Sequence, residues 1–88
     1  MPQDELQVIP GVGPSISRDL RKLGYESVRS LANQDPEAMY QRLSDISGYQ
    51  DGCVLYVFRC AVYYASNENH DPDLLKWWNW KDSKLSVA

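Results

Sequence analysis

Apolar residues recur along this chain at helical spacing, in short segments separated by proline and glycine. Ile16, Leu20 and Leu23 follow the i, i+4, i+7 spacing of a single helix face. A later segment carries a second such face, made of Met39, Tyr40, Leu43 and Ile46. Capping acids and prolines mark helix starts and glycines mark ends, which predicts short helices over residues 5–8, 14–23, 27–32, 36–47, 53–66 and 72–78. The pattern therefore predicts an all-α chain of about five to six short helices, with Asp4 capping the first.

The segment over residues 53–66 differs from the others because apolar side chains occur on every face. Arg59 is its one charged residue. A strand is the competing interpretation, but the length favours a helix that is buried or forms an interface. It is too short to span a bilayer, which needs about 20 residues. Burial of an unpaired charge is costly, so we expect Arg59 to pair with a buried carboxylate or carbonyl group.

Length and composition indicate one small domain. The 88 residues contain 43% apolar and 24% charged residues, as in ordinary globular proteins. We expect a single domain over residues 1–88, with a core over about 4–82 and a frayed end over 83–88. Cys53 and Cys60 would lie two helical turns apart, too far for a disulfide, which favours a reducing, cytoplasmic compartment. The acidic N-terminus does not look like a signal peptide.

Charge and side-chain chemistry exclude most catalytic classes. The net charge is −3, whereas domains that bind nucleic acid usually show a basic excess. One histidine and two cysteines give no zinc-ligand spacing, and no nucleophile elbow, phosphate-loop lysine motif or paired-acid arrangement occurs. We therefore expect no enzyme activity, no metal and no cofactor.

The most informative motif is Ile9-Pro10-Gly11-Val12-Gly13, followed by Pro14 at the predicted start of a helix. Glycines in such a turn let the backbone approach a ligand, and amides at the helix start point outward without intrahelical partners. Together with the helix dipole, these amides can hold a phosphate oxygen. The alternative is that the turn simply connects two helices, with Val12 filling the core.

The spacing from Leu6 through this turn to Leu23-Gly24 resembles the helix-hairpin-helix superfamily of DNA repair and recombination proteins. Over about residues 5–82 the chain resembles a small bacterial family of pathogenicity-locus proteins, also known as mitomycin resistance proteins. That resemblance rests on the hairpin, Asp35-Pro36-Glu37, and the segments over residues 53–59 and 76–82. It implies a SAM-domain-like fold with an N-terminal helix-hairpin-helix, no established catalytic chemistry and a link to DNA damage.

The segment after the hairpin departs from the DNA-binding pattern of that superfamily. A lysine or arginine is common there, whereas this chain has Pro14-Ser15-Ile16-Ser17. Basic residues first appear at Arg18, Arg21 and Lys22, which form either a modest basic strip or a solvated helix face. The predicted function is non-specific contact with the DNA phosphate backbone, through Gly11, Val12, Gly13, Ser15, Ser17, Arg18 and Lys22.

Trp77, Trp78 and Trp80 are the other conspicuous group. They can seal a thin core, anchor a protein partner or stack on bases. The alternative function is therefore protein interaction or self-association, through the tyrosine-rich helix over residues 53–65 or through the tryptophan segment. No membrane association is expected.

Overall fold

The computed structural model describes residues 5–81. Three α-helices form the scaffold: α1 (Pro14–Lys22), α2 (Pro36–Ser47) and α3 (Gly52–Ser66). Four 3₁₀ segments accompany them: Glu5–Val8, Arg29–Leu31, Pro72–Leu75 and Trp77–Lys81. Residues 5–81 contain no strand, which confirms the all-helical prediction. The expected cap Asp4 and the expected frayed end over residues 83–88 lie outside the described residues.

The predicted number of helices was too high. Within residues 5–81 three α-helices are present, and the three other predicted helices correspond to four 3₁₀ segments of three to five residues. Such short pieces close few i→i+4 hydrogen bonds, and 3₁₀ geometry is common in pieces of this length. Hydrophobic spacing located the first two of these segments approximately but did not distinguish a 3₁₀ turn from an α-helix. The helix predicted over residues 72–78 is divided into two segments, and the second, Trp77–Lys81, continues beyond the predicted end.

The central element is α3, which packs against α2, the segment Arg29–Leu31 and both C-terminal 3₁₀ segments. The helical prediction for this stretch is confirmed, and the competing strand is excluded. Its fully buried residues are Val54, Val57, Phe58, Cys60 and Ala61. The remaining residues from 52 to 65 are half-buried, so neighbouring elements partly cover every side of the helix.

Local capping explains the helix boundaries. Asp35 accepts hydrogen bonds from the Glu37 and Ala38 amides at the start of α2, as its sequence position predicts. At the end of α1 the Tyr25 amide donates to the Leu20 carbonyl, while Gly24 has a positive φ of 97°. This six-to-one bond after a left-handed glycine is a Schellman motif, and it turns the chain out of the helix.

Arg59 links three elements, as expected for a largely buried cation. Its side chain is 10% exposed and donates to Glu37 at 2.6 and 2.9 Å. Nη1 also donates to the Trp80 carbonyl at 2.7 Å. The predicted pairing is confirmed, and both kinds of acceptor contribute, but the Glu37 carboxylate is 56% exposed and not buried as expected.

Two further predictions about side chains have clear outcomes. Cys53 and Cys60 are free thiols, as their helical spacing predicts.

Ile46 was expected on the buried face of α2 but is exposed, whereas Met39 and Leu43 are buried. The buried stripe of α2 therefore ends one turn before the predicted apolar face does.

Candidate nucleic-acid interface

The hairpin, defined here as residues 9–13, reverses the chain between the segment Glu5–Val8 and α1. Gly11 has a φ of 88°, which favours glycine because a Cβ atom there is strained. The Val12 amide donates to the Ile9 carbonyl at 3.0 Å and closes the turn. Gly13 is in an extended conformation at the N-cap position, and Pro14 occupies the first turn of α1. These features explain the strict pattern of proline and glycine in this segment.

The N-cap residue of α1 is Gly13, and no side chain within residues 5–81 caps this helix start. Within the described residues, the amides of Gly13, Ser15 and Ile16 donate to no acceptor. Free amides at a helix start, backed by the positive end of the helix dipole, form a site suited to an anion. The Ile16 amide was absent from the sequence-predicted set, because the Ile16 side chain identifies that residue as part of the apolar face.

Two members of the predicted set belong to the interior. Val12 is buried in the core, and its amide already has an acceptor. Ser17 is 1% exposed, and its amide donates to the Gly13 carbonyl at 2.9 Å. Both residues therefore shape the hairpin from inside. Burial of the small polar Ser17 is not apparent from helical spacing.

The other members of the set reach solvent along one helix. Gly11, Ser15, Arg18 and Lys22 are exposed, and Gly13 is half-buried. Arg18 lies about 6 Å and Lys22 about 12 Å along the helix axis from Pro14, at 1.5 Å per residue. Neither cation forms an ion pair within residues 5–81, although Lys22 Nζ lies 3.5 Å from Ser47 Oγ.

Arg42 of α2 lies against the C-terminal end of α1. Arg42 Nη2 donates to the Leu23 carbonyl at 2.9 Å, and the guanidinium lies 5.9 Å from the centre of the Tyr25 ring. A cation at this end of a helix is favourable because the carbonyl dipoles point toward it. Arg42 therefore connects α2 to α1 and adds positive charge near Lys22, a placement that sequence spacing does not reveal.

The C-terminal arm, defined here as residues 72–81, packs directly on the hairpin. A Cβ atom added to Gly11 would lie 2.9 Å from Trp77 Cδ1 and 3.3 Å from Trp77 Cβ. Gly11 is thus required by its positive φ and by the closeness of the Trp77 ring. These two residues are far apart in the chain, and no local signal in the sequence connects them.

Cys60 joins the hairpin to the C-terminal arm from the inside. Its thiol sulfur lies 3.8 Å from the Pro10 carbonyl, 3.6 Å from that of Leu74 and 3.5 Å from that of Leu75. Burial raises the pKa of this thiol to about 11, so the group is neutral at physiological pH. Cys60 is therefore a packing and hydrogen-bonding residue at the junction.

The three tryptophans have different environments. Trp80 is buried, and its Nε1 donates to the Leu74 carbonyl at 2.7 Å. Trp77 is partly buried against the core. Trp78 is 55% exposed and meets the Trp77 ring edge-on, with ring centres 5.8 Å apart. The expected core-sealing role therefore holds for Trp77 and Trp80, whereas Trp78 faces solvent.

The described residues show no group of histidine, cysteine and acidic side chains that could hold a metal ion. His70 instead stacks on Tyr64 and bonds the Tyr64 carbonyl at 2.8 Å. No helix within residues 5–81 is long and apolar enough to cross a membrane.

Comparison with known proteins supports the resemblance to the pathogenicity-locus family. The family model described as pathogenicity locus matches residues 2–85. The mitomycin resistance protein McrB of Streptomyces lavendulae is 29% identical over 77 residues, which cover 86% of this chain and 70% of McrB.

A second relative is the DNA repair and recombination protein RadA of Haloquadratum walsbyi. It is 46% identical over 39 residues, which cover 44% of this chain but only 11% of RadA. No solved structure matches the chain significantly. Because the family model covers nearly the whole sequence, the chain belongs to the pathogenicity locus family.

Proposed function

We propose that this protein is a non-catalytic helix-hairpin-helix module that associates with DNA by gripping the phosphate backbone without sequence preference. The observation that carries the proposal is the uncapped start of α1, where the amides of Gly13, Ser15 and Ile16 have no acceptor within the described residues. Contacts of this kind position a protein on nucleic acid but do not read bases.

The charges along α1 extend this site in one direction. Arg18 and Lys22 are exposed and about one turn apart, so each can meet a phosphate beyond the one held by the hairpin. With two cations, the slope of log K against log salt should be about −1.8. Affinity should therefore fall about 12-fold between 50 and 200 mM salt. The net charge of −3 opposes binding, so we expect weak affinity.

The relatives add independent support. One matching protein is named for DNA repair and recombination, and another for resistance to mitomycin. The first match covers a small part of a much longer protein, so the proposal extends to backbone contact and not to the activity of RadA.

A charge substitution at Ser15 provides the sharpest test. Ser15→Glu places a carboxylate in the first turn of α1, where it suits the helix dipole but repels phosphate. Ala38→Glu is the matched control, because Ala38 is also exposed in the first turn of a helix that begins with proline. Both variants change the net charge by the same amount.

The measurement is fluorescence anisotropy of labelled duplex and single-stranded DNA at about 50 mM salt. We expect Ser15→Glu to lose binding while its thermal stability stays at or above that of the wild type. Ala38→Glu should bind nearly as the wild type does. An absence of wild-type binding at tens of micromolar protein, or an equal loss in both variants, would exclude the hairpin as the contact.

Self-association is the second candidate function, and its two proposed surfaces differ in how far they are exposed to solvent. The helix over residues 53–65 has no fully exposed residue, because neighbouring elements cover it. Trp78, in contrast, offers an exposed indole. Sedimentation analysis of the wild type and Trp78→Ala tests this candidate, which requires an oligomer that the substitution dissociates.

A further inference from the structure

Trp78 is unusual among the aromatic residues of the C-terminal arm. Its two neighbouring tryptophans pack inside, whereas its own ring is 55% exposed. The ring touches Trp77 edge-on, at an interplanar angle of 84°. Because 55% of its surface is exposed beside this contact, Trp78 presents a large part of its indole to solvent.

The position of this ring relative to the hairpin is set by a chain of contacts. Trp77 packs so closely on Gly11 that a Cβ atom there would clash. The Cys60 thiol lies against carbonyl groups of both the hairpin and the arm. Trp78 therefore contacts Trp77, which in turn packs on the hairpin. The C-terminal arm that bears both tryptophans also contacts the Cys60 thiol.

Exposed aromatic faces beside a backbone-binding site are typical of proteins that bind single-stranded nucleic acid. In a duplex the faces of the bases are covered by their neighbours, whereas an unpaired base can stack on an indole. Lys76, exposed on the same arm, adds a cation, although Asp73 lies 3.7 Å from its ammonium group.

We propose that Trp78 is a base-stacking platform and that the domain therefore prefers single-stranded DNA, or unpaired nucleotides at ends and gaps, over intact duplex. This inference rests on the proposed phosphate contact at the hairpin. In this arrangement the hairpin amides bind a phosphate of the DNA backbone, and the Trp78 ring stacks on the face of a nearby unpaired base.

Tyr49 provides a matched control for aromatic exposure. It is 90% exposed and lies just after α2, whose last residue, Ser47, is close to Lys22 at the far end of α1 from the hairpin. If any exposed aromatic ring sufficed, Tyr49→Ala would weaken binding as much as Trp78→Ala. The proposal expects no effect at Tyr49.

The test compares a labelled 12-nucleotide oligothymidine with a duplex of the same length, by anisotropy at about 50 mM salt. We expect the wild type to bind the single strand more tightly. Trp78→Ala should weaken single-strand binding about 5- to 150-fold, the range that base–aromatic stacking supports. Duplex binding should change less than about twofold. Trp78→Phe, which keeps an aromatic face, should retain most of the preference, and Trp78→Leu, which keeps apolar bulk alone, should lose it.

The outcomes separate this inference from the proposed function. If the wild type binds neither DNA, the hairpin proposal fails and this inference fails with it. If duplex and single strand bind equally and Trp78→Ala changes neither, stacking is overturned while the hairpin contact stands. Stacking is also overturned if Trp78→Leu keeps the preference for single-stranded DNA. It is likewise overturned if Trp78→Ala dissociates an oligomer while the single-strand affinity per protomer stays unchanged.

Discussion

The close contact between Gly11 and Trp77 predicts a graded series of glycine-to-alanine substitutions. Gly11 combines a φ of 88° with a neighbour 2.9 Å from its added Cβ. Gly24 has a φ of 97° but nothing within 4 Å of an added Cβ. An added Cβ at Gly13 is equally free of neighbours, and that residue has an ordinary φ of −97°. The three positions therefore separate backbone strain from steric overlap.

The expected magnitudes follow from these differences. Gly24→Ala should cost about 1–2 kcal/mol of unfolding free energy, the strain of a left-handed L-residue. Gly11→Ala should cost this strain plus about 1–3 kcal/mol for overpacking against the Trp77 ring, roughly 2–5 kcal/mol in total. Gly13→Ala should lie within about 0.5 kcal/mol of the wild type, because a weaker N-cap is offset by a less flexible unfolded chain.

Urea unfolding followed by circular dichroism at 222 nm measures this series, with thermal melts as a second readout. For a domain of this size, about 2 kcal/mol corresponds to a melting-temperature decrease of roughly 10 °C. In a Trp77→Ala background, the cost of Gly11→Ala should decrease toward that of Gly24→Ala, since the 2.9 Å overlap with the indole ring is removed and only the 3.3 Å contact with the Cβ atom remains.

Two results would refute this reasoning. Equal destabilisation by Gly11→Ala and Gly24→Ala would show that the Trp77 ring moves aside at no cost. An unchanged cost of Gly11→Ala in the Trp77→Ala background would show that the two residues are not coupled. Either result would also remove the rigid connection between the hairpin and the C-terminal arm.

Three further predictions concern caps, ion pairs and the buried thiol. Asp35→Ala should cost about 1 kcal/mol in urea unfolding because its carboxylate caps α2, and Asp51→Ala less than half as much because its side chain makes no cap bond. Arg59→Met should cost about 2 kcal/mol, since the Trp80 carbonyl loses its charged donor, whereas Glu37→Gln, at a side chain 56% exposed, should cost under about 1 kcal/mol. A similar loss in the two variants would contradict the carbonyl contact. Burial raises the pKa of Cys60 from 9.0 to about 11, so the stability that this thiol contributes is fully present below pH 9 and is lost as pH rises toward 11. Relative to Cys60→Ala, the wild type should therefore lose about 2 kcal/mol between pH 8 and pH 10.5, and a pH-independent difference would exclude this linkage.

Local features of the fold could be predicted from the sequence alone. The cap at Asp35, the turn at Gly24 and the start of α1 at Pro14 each depend on interactions within about six residues. Such interactions act in any chain that carries those residues, because they need no distant partner. The apolar composition of α3 likewise determined its central position, since a helix without a polar face has to be covered.

The candidate site was only partly predictable. The proline and glycine pattern located the hairpin, but burial of Val12 and Ser17 and the open amide of Ile16 depend on how α1 packs. Helical spacing assigns a residue to a face. It does not say how deeply that face is covered, or which backbone groups already have acceptors.

The sequence by itself determined the helical class, the starts of α1 and α2 and the reversal at residues 9–13, because these follow from short-range hydrogen bonding and backbone conformation. The tertiary structure alone decided that Trp77 lies on Gly11, that Cys60 joins the hairpin to the C-terminal arm, and that Trp78 stays exposed beside them. These contacts join residues up to 66 positions apart, as the separation of Gly11 and Trp77 shows. Packing of α3 against neighbouring elements brings such residues together, and no local sequence pattern predicts these contacts.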